Sequence, residues 1–77
     1  MVQSANELKM NYDREADVLY CFLGEPREAL SIEKADGVVV RVNPETNELV
    51  GFTIIDFFRR FAEHPGESVS VPLEQTA

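Results

Sequence analysis

Seventy-seven residues with seven basic and fourteen acidic side chains carry a net charge of −7, which opposes nucleic acid and anionic membranes, since both bind proteins largely through phosphate neutralisation. One cysteine, Cys21, excludes a disulfide scaffold, and a chain this short buries only about 60–65% of the surface its unfolded form exposes. No stretch approaches the roughly 20 apolar residues of a membrane span and no signal-peptide pattern opens the chain, so a cytoplasmic protein with a reduced thiol is expected.

Residues 1–6 read as a loose start, 7–73 as one folded domain and 74–77 as a frayed end. Glu7 to Tyr12 alternates polar and apolar and predicts a half-buried strand. Asp13 to Asp17 is rich in turn formers and charge. Val18-Leu19-Tyr20-Cys21-Phe22-Leu23 contains no charged or amide side chain. As a strand it points Val18, Tyr20 and Phe22 to one face and Leu19, Cys21 and Leu23 to the other, so both faces want cover. The first two strands predict a hairpin.

Gly24 to Glu28, with Pro26, breaks the second strand. Ala29 to Glu33 predicts a short edge strand, Asp36-Gly37 a turn, and Val38 to Val42 a strand rich in β-branched residues. Asn43 to Asn47 predicts a tight hairpin loop, in which Asn47 tolerates the left-handed backbone that closes such loops. Leu49 to Ile55 is the return strand. Gly51 in its middle marks a bulge or the close approach of a neighbour. Asp56 predicts a helix N-cap, Phe57, Phe58 and Phe61 a core-facing stripe, and His64-Pro65-Gly66 the end of a two-turn helix. The tail alternates again at Val69, Val71 and Leu73, as an edge strand or an arm ordered by a partner. The expected fold is α+β: a small antiparallel β-meander of about four strands, a fifth at the C-terminal edge, and one short helix after the last core strand.

Tyr12 to Tyr20 resembles the opening signature of the YuzE-like family, small bacterial domains of unknown function. Asp36 to Val40 and Glu48 to Asp56 resemble its later blocks, in the same order. The resemblance spans Leu8 to Phe61. It implies a small antiparallel sheet followed by a helix, and no established activity. Some family members look like partners in two-gene, toxin–antitoxin-type arrangements. No catalytic residue carries over. Asp13 and Asp17 match the family's acidic turn, and Tyr12 and Tyr20 its aromatic positions.

Asp13, Glu15 and Asp17 are the candidate metal ligands, because they repeat every second residue as at the start of a calcium loop. Val18 stands where that loop needs glycine and Gly24 where it needs glutamate. A turn in which Asp13 caps backbone amides accounts for the same residues. His64 lacks a second histidine or cysteine, and no serine lies in a nucleophile elbow. Arg59-Arg60 reads as a solvated helix face or interface rim. No cofactor and no catalytic residue is expected.

A two-turn helix spans about 12 Å and cannot shield both faces of these strands. An uncovered face would exceed the apolar patch usual for a monomer. The chain is therefore expected to homodimerise, by sheet packing or by exchange of the Val69–Leu73 arm, and to suit a basic protein partner. The expected interface residues are Tyr20, Phe22, Phe52, Val69, Val71 and Leu73. The alternative is a ligand-binding, metal-binding or enzymatic domain with an aromatic and acidic pocket at a subunit interface.

Overall fold

The computed structural model describes residues 7–24 and 27–72. The alternating and β-branched runs form strands where their patterns predict them: β1 (Leu8–Asp13), β2 (Val18–Leu23), β3 (Leu30–Ala35), β4 (Val38–Val42) and β5 (Leu49–Ile55). One helix follows, α1 (Phe57–Glu63). The strands make a single antiparallel sheet in the order β1-β2-β5-β4-β3. Strands β3, β4 and β5 form a meander. The β1–β2 hairpin docks on it through β2, which makes β5 the central strand and puts β1 and β3 at the edges. The fifth strand is thus β3; Glu67 to Pro72 enters no helix or strand. The expected ends at 1–6 and 74–77, and Leu73, lie outside the described residues.

Local chemistry sets each turn. Asp13 Oδ1 accepts from the amides of Glu15 and Ala16 at 3.1 and 3.2 Å, the side-chain-to-backbone turn expected of it. Asn43 Oδ1 accepts from Glu45 and Thr46 at 2.8 and 3.3 Å, and Asn47 closes that loop at φ 66°. Gly37 turns β3 into β4 at φ 80°, a conformation that costs glycine little.

Gly51 meets both expectations placed on it. A side chain there would bring its first carbon 2.5 Å from the Cys21 carbonyl oxygen, so β2 and β5 approach too closely for any Cβ. The ladder with β4 also shifts register between Arg41 and Val42. That shift pairs Leu49 with Val42, so Leu49 does not simply follow Thr53 and Ile55 as unbroken alternation predicts.

Directly opposed residues in an antiparallel ladder share a face. Through the register, Cys21 lies with Phe52, Phe52 with Val40, Leu19 with Ile54, and Ile54 with Val38. The buried apolar side chains are Cys21, Val38, Val40, Val42 and Ile54, and every one belongs to this face. Helix α1 covers its Tyr12 end, where the Phe57 ring stands edge-on to Tyr12 with centroids 5.8 Å apart. Val69 and Val71 are half-buried while Ser68, Ser70 and Pro72 are exposed, as in a segment that rests one side on its own protein.

Candidate functional site

The acidic turn is a helix clamp. Asp17 ends the β1–β2 turn in the left-handed conformation, φ 59°, which aspartate tolerates better than most residues. Its carbonyl oxygen accepts from the Phe57 amide at 2.9 Å. Its carboxylate accepts from the Phe58 amide at 2.8 Å and the Arg59 amide at 3.1 Å. The first-turn amides that a helix leaves without partners are thus taken by a residue some forty positions earlier. The Tyr12 hydroxyl donates to the same carboxylate at 2.6 Å. These bonds, Tyr12's first, hold the Asp17 carboxyl below the usual range; the bond to Asp17, with burial and the carboxylate charge, raises the Tyr12 phenol.

Asp56 occupies the N-cap position, as expected, but makes no capping bond with its side chain. Its carboxylate pairs instead with Arg59 at 3.1 Å. Arg60 corrects the expectation of a wholly solvated basic face. Its Nη2 donates to the carbonyls of Asp36 and Ile55 at 3.0 and 2.9 Å, which ties α1 to the β3–β4 turn beside Gly37. Arg59 is the solvated one. The phenylalanine stripe also divides: Phe57 is half-buried and meets Phe61 edge to face with centroids 5.3 Å apart, whereas Phe58 is 68% exposed and Phe61 36%. No residue of α1 is buried, because so short a helix at the end of a sheet has one turn to rest on it.

Asp13, Glu15 and Asp17 are not gathered around a common point. The first serves turn amides and the last serves the helix. No group of three metal-ligating side chains stands together among the described residues. Cys21 is buried, and burial raises its thiol above the usual range, which makes it a poor nucleophile. His64 ends α1, where its amide donates to the Arg60 carbonyl. No helix among the described residues is long and apolar enough to cross a membrane.

The second face of the sheet is open. Its central row runs Asn11, Tyr20, Thr53, Val39, Glu33; on one side lie Lys9, Phe22, Gly51, Arg41 and Ser31, on the other Asp13, Val18 and Ile55. Among the described residues no side chain on this face is buried. Tyr20 and Ile55 are 38% and 39% exposed. An open depression at the β1 edge is lined by Asn11, Tyr12, Asp13, Tyr20 and Phe22. The six expected interface residues do not form one surface. Tyr20 and Phe22 lie on the open face, Phe52 on the covered one, Val69 and Val71 in the segment after α1, and Leu73 outside the described residues. Sequence alternation puts Val39 and Ile55 on the second faces of their strands but does not name them among the expected interface residues. Only the register, which brings β5 between β2 and β4, places them beside Tyr20.

A five-stranded antiparallel sheet with one short helix after its last strand defines a small α+β domain. The family model for a protein of unknown function, DUF2283, matches residues 9–57. The match covers more than half of the chain, and the chain belongs to this family, in keeping with the YuzE-like resemblance. No curated protein and no solved structure matches it.

Proposed function

We propose that this protein is a non-enzymatic interaction module that homodimerises and binds a basic protein partner in an antitoxin-like manner. The observation that carries this reading is the division of the sheet: among the described residues every buried core side chain lies on one face, while on the other Val18, Tyr20, Phe22, Val39 and Ile55 are half-buried or exposed. A net charge of −7 supports a basic partner, because complementary charge steers encounter and excludes wrong partners. Sedimentation equilibrium at micromolar protein tests self-association, and a species of monomer mass throughout sinks it. Affinity capture from native lysate with the neighbouring gene co-expressed tests the second half. Failure to recover a stoichiometric basic protein removes the antitoxin-like role.

A second reading has one observation behind it. The depression lined by Tyr12, Tyr20, Phe22, Asn11 and Asp13 has the aromatic and acidic character of a ligand pocket completed at a subunit interface. A melting temperature that rises with calcium, magnesium or manganese supports this reading, since a ligand that binds only the folded state stabilises it. An unchanged melting temperature retires its metal form.

A further inference from the structure

Resting on the reading that two copies associate, we propose that the open face of the sheet receives the same face of a second copy, with the two-fold axis running across the strands along the row Asn11, Tyr20, Thr53, Val39 and Glu33. The register defines that row and its two flanking rows. Rotation about it exchanges the flanking rows. Lys9 of one copy then lies over Asp13 of the other, Phe22 over Val18, and the bare backbone at Gly51 over Ile55. These three exchanges are complementary: cation with carboxylate, aromatic with aliphatic, a dimple with a half-exposed branched side chain; Arg41 and Ser31 have no counterpart in the shorter row. Each occurs twice, as an isologous interface requires.

An axis along β5 is the other way to pack two copies of this face. It exchanges β1 with β3 and β2 with β4. Tyr20 then lies over Val39, Asn11 over Glu33 and Arg41 over Phe22, but Lys9 lies over Ser31, and neither Lys9 nor Asp13 finds an opposite charge; the Lys9–Asp13 pair is what favours the transverse axis. The transverse axis sets Glu33 against its own copy at the edge of the sheet. That carboxylate is turned toward its own chain, where it accepts from the Gly37 amide at 3.3 Å. Sheets packed face to face stand about 10 Å apart with strands near alignment, a gap that lysine and aspartate side chains bridge from opposite sides.

The test uses the full chain, sedimentation equilibrium, and circular dichroism to verify the fold of each variant. Tyr20→Glu and Ile55→Lys change exposed side chains, and each raises the dimer dissociation constant roughly 100-fold or more. Met10→Glu, at a residue 63% exposed on the opposite face, leaves it unchanged. Lys9→Glu weakens the dimer roughly 3- to 10-fold at low salt and less at high salt. Asn11→Cys, on the axis, cross-links to itself through a short bis-maleimide. A dimer that survives both Tyr20→Glu and Ile55→Lys, or that Met10→Glu dissociates, uses another surface; this inference then falls while self-association stands. A folded Asn11→Cys dimer that does not cross-link overturns the axis. A wild-type chain that stays monomeric overturns both this inference and the reading beneath it.

Discussion

Asp17 joins a turn, a phenol and a helix through one residue, and its consequences are measurable one side chain at a time. Three helix amides and a hydroxyl converge on it. Asp17→Ala leaves all of the side-chain partners unmet and lowers the melting temperature by about 5 °C or more, by analogy with lost helix caps in domains of this size. Calorimetry checks this, and an unchanged melting temperature would show that water replaces the carboxylate. The pH dependence follows from the direction of each shift. The Asp17 carboxyl is lowered in the folded protein, so the folded state takes its proton less readily than the unfolded chain. Its stabilisation is complete above the unfolded value near 4 and fades as pH falls through the lower folded value. Tyr12 is raised, so its part is complete below the unfolded value near 10 and fades as pH rises through the higher folded one. Urea midpoints across pH should therefore show an acid limb that shrinks in Asp17→Asn and an alkaline limb that shrinks in Tyr12→Phe. Cys21 supplies a separate residue-scale test. Buried, with its thiol raised, it should react with a thiol reagent at neutral pH only as fast as the sheet opens, and urea below the unfolding midpoint should accelerate the reaction. Prompt stoichiometric labelling of the native protein would contradict its burial.

At the scale of elements, α1 is held less by packing than by polar ties at both ends of its first turns. Asp17 holds the start; Arg60 fastens the side to the carbonyls of Asp36 and Ile55. Arg60→Ala should cost about 1–2 kcal/mol and speed amide exchange in α1 and at the β3–β4 turn, while the β2–β5 ladder stays protected. Uniform acceleration across the sheet would show instead that helix and sheet open together. Gly51→Ala should cost about 1–3 kcal/mol, because the added carbon meets the Cys21 carbonyl and neither strand can move without breaking its ladder. The same elements show what sequence could and could not reveal. The hairpin turns were legible because their chemistry is local: Asp13 and Asn43 bond amides two and three residues on, and Asn47 takes the left-handed backbone its type favours. The two faces of β2 were legible because alternation has period two. Asp17's capping role was not, because its partners are distant in sequence and Asp56 holds the position where a cap belongs. Arg60 was hidden likewise, since a basic residue on a short helix looks solvated until a carbonyl pair is placed beneath it. Helical spacing found the phenylalanine stripe, but spacing says which residues share a side and nothing about how deeply that side sinks.

At the scale of the whole molecule, the described residues bury side chains on one face of the sheet and none on the other. Strand β5 lies at its centre, so β2 and β4 turn hydrocarbon both toward the core and away from it. On the outer side Tyr20 and Ile55 are exposed, and Val18, Phe22 and Val39 are half-buried. The inner core is small: among the described residues Cys21, three valines and one isoleucine are buried and apolar. A domain with so little buried volume would gain from an association that hid its outer face. If two copies fold as one unit, stability must depend on protein concentration, because dilution favours the dissociated and unfolded chains by mass action. For a chain of this length, each tenfold rise in concentration should lift the melting temperature by about 4 °C, from the entropy of unfolding per residue and the shared gain of two chains. Tyr20→Glu should melt lower, at a temperature that no longer moves with concentration. A wild-type melting temperature that is flat from low to high micromolar protein would mean that one face of core suffices to hold this sheet, and that its outer hydrocarbon waits bare for a different protein.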